Sequence, residues 1–137
     1  MVSLVSAMHP RTEWSTWRTW RIPADSSHVR QARAEIRQAV AQFGDDVADR
    51  VEAASNELMA NVVVHTSSPD MTIRVRDTGT ALRVECRDDG SPATGPSPRD
   101  PLEEYGKGLM LVRALTTRQG HLVSEGGRTV WFEIDHP

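Results

Sequence analysis

The chain has 137 residues, 38% of them hydrophobic, and its 16 basic and 19 acidic side chains give a formal charge of -3. That length fits one domain able to bury about two-thirds of its unfolded surface, and the lack of a block of like charge argues against a nucleic-acid surface built on a basic stripe. Cys86 is the only cysteine, which rules out an internal disulfide and a thiolate zinc site and suits a reducing cytoplasm; no apolar run nears the roughly 20 residues that span a bilayer, and Met1 to Met8 lacks a signal-peptide leader.

Residues 1–13 contain His9-Pro10 and no periodicity, which predicts a flexible tail ahead of a single domain over 14–137. Thr16 to Ile22 is rich in Trp and Thr and is stopped by Pro23, the pattern of a strand, with Trp14, Trp17 and Trp20 as packing residues. Asp25-Ser26-Ser27 offers an N-cap for a helix through Val29, Ala32, Ile36, Ala39, Val40 and Phe43, ended by Gly44. Its other face, Arg30, Arg33 and Arg37, reads as a solvated charged row. Asp45 or Asp46 caps a second helix with apolar positions Val47, Val51, Ala54, Leu58 and Val62, broken by Ser67-Ser68-Pro69-Asp70. Met71 to Arg76 and Ala81 to Arg87 form two strands around the turn Asp77-Thr78-Gly79-Thr80. Ser91 to Tyr105 holds four of the eight prolines, Pro92, Pro96, Pro98 and Pro101, and is neither helix nor central strand. Leu109 to Leu115 is helical, and Gln119 to Ser124 and Arg128 to Ile134 are strands joined at Glu125-Gly126-Gly127. Tight turns between consecutive strands predict an α+β fold: a two-layer sandwich with a mixed, mostly antiparallel sheet and helices on one face.

Three segments carry chemistry. In Ser55-Asn56-Glu57-Leu58-Met59-Ala60-Asn61, the four-residue spacing puts Glu57 and Asn61 on one helix face. Glu57 can accept a proton or orient a nucleophile, and the Asn61 amide oxygen can help hold a hard cation; an ordinary amphipathic helix also shows this pair by chance. Asp88 and Gly90 follow a strand, where a carboxylate can face a pocket and accept a hydrogen bond from an exocyclic amine such as adenine's. Guanine would present a carbonyl there instead, and sites built around a hydrogen bond reject such a mismatch by about 10⁴. A plain strand-terminal Asp-Gly turn is the alternative. Gly106-Lys107-Gly108-Leu109 precedes a helix, whose freed N–H groups make a phosphate cradle to which Lys107 adds a charge; neither the P-loop nor the Rossmann pattern is present.

Taken in order, E-x-x-x-N, D-x-G, G-x-G-L and Gly127-Arg128-Thr129 resemble the N, G1 and G2 boxes and closing threonine of the histidine-kinase-like ATPase superfamily. The start at Trp20-Arg21-Ile22-Pro23-Ala24, Gly108 to Val112, and Thr129 to Phe132 most resemble the stand-alone anti-sigma-factor serine kinases of bacteria, over about residues 16–134. The resemblance implies the Bergerat ATP-binding fold, with ATP and Mg²⁺ as ligands. It further implies that Asn61 coordinates Mg²⁺, Glu57 is the catalytic base and Asp88 reads adenine. Gly90 would pack near the base, Gly106, Lys107, Gly108 and Leu109 would anchor the phosphate end of a lid over about 91–107, and Thr129 would support the adenine-side network. His65 ends the N-box helix, as a cap or packing residue, with a direct nucleotide contact as the alternative. Two departures stand out: Ala60 replaces the threonine that often precedes the N-box asparagine, and Ser91-Pro92 replaces a second glycine.

The implied activity is a cytoplasmic serine/threonine kinase that phosphorylates an anti-anti-sigma protein of the STAS type and alternately sequesters a sigma factor, with no direct nucleic-acid or membrane partner. A non-catalytic ATP-dependent switch of the same fold is the alternative, and a detached histidine-kinase catalytic domain a further one. The sequence does not fix the oligomeric state, although relatives of this class are often dimeric.

Overall fold

A computed structural model of the chain describes residues 16–91 and 110–137. Strand β1 (Arg18–Pro23) leads into helix α1 (Ser26–Ala39), a 3-10 turn (Ala41–Phe43) and helix α2 (Asp45–His65). Then come β2 (Asp70–Asp77), β3 (Ala81–Asp88), β4 (Arg118–Ser124) and β5 (Gly127–Asp135), with residues 110–115 helical ahead of β4. The five strands form one sheet in the order β1-β2-β3-β5-β4, every neighbouring pair antiparallel. The expected α+β sandwich is the observed fold. The predicted tail over 1–13 and the lid over about 91–107 fall outside the described residues, apart from Ser91.

Local chemistry sets the ends of the helices. Asp25 caps α1 by accepting from the His28 backbone N–H at 2.9 Å, and that bond, with the His28 ring and Ser27 hydroxyl, holds its carboxyl down to about 2. The helix stops at Ala39 rather than running to Phe43, because the chain tightens into the 3-10 turn: Phe43 N bonds to Val40 O at 3.0 Å. Gly44, at φ +96°, is the N-cap of α2, a conformation that costs a side-chain-bearing residue. Asp45 and Asp46, read as caps from sequence, instead occupy the first turn, where their charges complement the helix dipole.

Period-two alternation splits the sheet into two faces. On one, Met71, Ile73, Val75, Leu82, Val84, Cys86, Val130, Phe132 and Ile134 are buried against Val29, Ala32, Ile36, Val51, Leu58, Met59 and Val62 of the helices. Trp20 and Ile22 pack at its edge, Trp20 donating its indole N–H to Glu35 Oε1 at 3.2 Å. On the other face, Glu85 accepts from Arg74 at 2.7 Å and Arg83 at 2.8 Å, and Glu133 from Arg83 at 3.0 Å and Arg118 at 2.9 Å. Arg74 and Arg83 lie over the rings of Trp17 and Trp131. Among the described residues no helix is long and apolar enough to cross a membrane.

Candidate functional site

The apolar stripe of α2 fixes its rotation on the sheet, and the stripe in turn places the acid and the amide. Asn61 is buried, at 6% exposure, and Glu57, a turn earlier, is half-buried. Glu57 lines an open cleft of about 360 Å³ with Arg33, Glu52, Asn56 and Leu111, so its carboxylate reaches solvent on the side away from the core. Of the arginine row of α1, Arg33 lines this cleft, 3.7 Å from Glu52, while Arg37 pairs with Asp49 and, at 3.2 Å, with Glu52. Among the described residues Asn61 Nδ2 has no hydrogen-bond partner. The unpaired group is a donor, so what would complete it is an oxygen acceptor such as a phosphate rather than a cation, and a buried polar group without a partner is otherwise costly.

Asp88 ends β3 on the helix-covered face, in line with Val84 and Cys86, and its side chain is 1% exposed. One carboxylate oxygen accepts from the Gly90 backbone N–H at 2.7 Å. The other accepts from Arg128 Nη2 at 3.2 Å. Gly90 supplies the turn at φ +77°. The neighbouring Cys86 thiol is pushed up to about 12, by burial first and the Asp88 charge second, so it is an inert packing group.

Two serines link the ends of α2 and β3. Ser68 Oγ accepts from the Asp89 backbone N–H at 3.1 Å, and Ser67 Oγ donates to Ser91 Oγ at 3.0 Å. Asp89 in turn accepts from the Ser91 backbone N–H at 2.9 Å, and the Ser91 contacts hold its carboxyl below the usual range. The segment leaving the Glu57/Asn61 helix is thereby pinned to the turn that carries Asp88 and Gly90. His65 sits in the last turn of α2, and Thr66 closes that helix by donating its hydroxyl to Val62 O at 2.7 Å.

Thr129 lies elsewhere. Its register partner is Arg87, whose guanidinium donates to Thr129 Oγ1 at 3.3 Å, and with Thr72, Arg74 and Glu85 it lines a depression on the outer sheet face. The residue facing Asp88 across the ladder is Arg128. Alternation along β5 already indicated this, since Arg128 shares its parity with the buried Val130, Phe132 and Ile134, but the triplet Gly-Arg-Thr drew attention to the threonine. Gly106, Lys107, Gly108 and Leu109 fall outside the described residues. Ser67 and Ser68, read only as helix breakers, are the other site-forming residues that sequence reasoning passed over.

The helix thus carries the acid and the amide, and the end of β3 carries the buried aspartate. Residues 22–134 match the Histidine kinase-like ATPase domain, and the chain belongs to that family. Membership makes ATP the ligand class of the domain.

Among solved structures, the RsbU and RsbW domains of Rv1364c from Mycobacterium tuberculosis share the fold with a TM-score of 0.68 at 20% identity, over 89% of this chain and 33% of that one. The chain thus spans about a third of that protein's length. The Acinetobacter baumannii histidine kinase AdeS is similar with a TM-score of 0.51 at 14% identity, over 98% of this chain and 73% of that one. No curated protein matches.

Proposed function

We propose that the protein is an ATP-dependent regulator of the anti-sigma type: a cytoplasmic kinase that transfers the γ-phosphoryl group of ATP to a serine or threonine of a STAS-type anti-anti-sigma protein, and that alternately sequesters a sigma factor. The observation that carries this reading is the disposition of α2, with Glu57 open to the cleft one turn before a buried, incompletely bonded Asn61. A nucleotide-binding module that did no chemistry would need the amide but not an acid facing the solvent side.

In this reading Asp88 accepts a hydrogen bond from the base, and Gly90 allows the backbone to approach it. The Asn61 amide oxygen would hold Mg²⁺, an ion that takes oxygen ligands. Magnesium-bound ATP, when present, supplies the transferable phosphoryl group and the cation that neutralises its oxygens. Glu57 orients the partner's hydroxyl and accepts its proton as the oxygen attacks. Gly106, Lys107, Gly108 and Leu109 remain assigned to the phosphate end of the lid, while the base-side position assigned to Thr129 passes to Arg128.

Purified protein incubated with labelled ATP, Mg²⁺ and candidate STAS partners is expected to place label on a partner's serine or threonine. Glu57→Gln should bind ATP with unchanged affinity and transfer label about 10² to 10⁴ times more slowly. Unchanged transfer by Glu57→Gln contradicts the base role, and an ATP-dependent complex without label favours the non-catalytic switch.

A further inference from the structure

Between α1 and α2 runs a second open groove, of about 230 Å³. Its apolar lining comes from Val29 of α1 and from Ala60, Val63 and Val64 of α2. Val64 is 61% exposed, which leaves apolar surface for a partner's side chain to cover. Arg30 and Arg33 supply the charge, and no carboxylate is among the lining residues. Arg30, part of the row that reads as solvated in the sequence, is exposed and pairs with no carboxylate among the described residues.

This groove adjoins the cleft that holds Glu57, since Arg33 and Asn56 line both. The two differ in charge. In the Glu57 cleft Asp49, Glu52 and Glu57 outnumber Arg33 and the Arg37 that pairs with two of them. From Glu57 to Val64 the helix rises about 10 Å, a distance that about three extended residues of a bound chain span. A chain whose hydroxyl reaches Glu57 therefore lays a neighbouring side chain against the aliphatic wall, and the residue beside that one meets Arg30. An aspartate or glutamate there gains a counter-ion, whereas in the Glu57 cleft it would face an excess of acid. Charge thus sets which part of the segment lies in which cleft.

We propose that the groove between α1 and α2 selects the substrate of the phosphotransfer reaction: it seats an aliphatic side chain, with an acidic residue beside it, about three residues from the serine or threonine that Glu57 receives. The inference rests on the kinase reading of the site and names the class of segment that reading accepts.

Fluorescence anisotropy of short labelled peptides on the full chain, with Mg²⁺ and a non-hydrolysable ATP analogue, tests this. Each peptide holds one serine and a leucine-aspartate pair about three residues to one side of it or the other. The better of the two directions is expected to bind about tenfold or more tighter than its counterpart with alanine for leucine, and a few-fold tighter than the one with lysine for aspartate. Arg30→Glu should reverse that second preference, and unchanged ATP uptake by calorimetry reports that the variant is folded. Equal affinity across the peptides, binding by none of them, or an unaltered preference in Arg30→Glu overturns the proposal. The same peptides with labelled ATP separate it from the reading beneath it. Label transfer without selectivity overturns only this inference, whereas selective binding without label overturns the kinase reading and, with it, the groove's part in substrate choice.

Discussion

Asn61, assigned above to the nucleotide site, illustrates what such an assignment implies for stability. A buried amide that is fully bonded contributes to stability, and removing it typically costs about 1–3 kcal/mol. Here Nδ2 lacks a partner among the described residues, so that contribution is not being made. Asn61→Ala should therefore lower stability by less than about 1 kcal/mol in denaturant unfolding while abolishing the Mg²⁺-dependent part of ATP affinity. A large loss of stability would show the amide to be structural. The spacing of Glu57 and Asn61 was legible because helical periodicity is a strong signal over a segment as long as α2. Arg128 was missed for a different reason: matching a motif by residue type overlooked the parity of the strand, which turns Thr129 outward and Arg128 inward.

Among the elements, the outer sheet face shows how much packing can hide behind a polar surface. Burial alone would raise Glu85 and Glu133, yet hydrogen bonds from Arg83, Arg74 and Arg118 outweigh it and hold both below the usual range. Trp131 is stacked under Arg83, 4.2 Å from ring centroid to guanidinium carbon, and its ring occupies the space over its cross-strand partner Gly120. A Cβ there would meet that ring at 2.8 Å. Gly120→Ala should displace the indole and destabilise the β4–β5 hairpin by about 1–3 kcal/mol, read as a lower unfolding midpoint with altered tryptophan fluorescence. Both strands were recognisable from sequence, since their turn carries Gly126 and Gly127. The cross-strand demand on Gly120 was not, because register is a property of two strands and no single segment encodes it. The 3-10 turn after α1 was likewise hidden: Phe43 kept the helical spacing that its backbone does not follow.

At the scale of the whole molecule, the end of the sheet is closed by His136. Its backbone N–H bonds to Thr80 O at 3.0 Å, its ring lies 4.8 Å from Phe43, and Nε2 meets Asp77 Oδ1 at 2.8 Å. Burial disfavours the imidazolium, but the Pro137 carbonyl, Asp77 and Asp135 outweigh that penalty and raise its pKa above 6.5. The charged form is thus favoured in the folded state. The resulting stability is complete below about pH 6.5 and is lost as pH rises through the higher folded value. Thermal unfolding across this range should show that decline, and His136→Leu should remove it; an unchanged slope in the variant contradicts the assignment. Overall architecture was legible from turn chemistry and alternation because those signals are local. The pairing of distant ends, such as His136 with Asp77 or Ser68 with Asp89, depends on the closed fold and left no trace in either segment.

The central claim is that Asn61 and Asp88 serve one nucleotide held between the helices and the sheet. Calorimetric titration of ATP, with Mg²⁺ and then with the metal chelated, on the wild-type chain and on Asp88→Asn measures it directly. The expected result is saturable uptake of about one nucleotide per chain, weakened without the metal and lowered by about tenfold or more in Asp88→Asn. Absence of uptake at roughly millimolar ATP, a concentration matching only about 4 kcal/mol of binding, or equal affinity in Asp88→Asn, would contradict it.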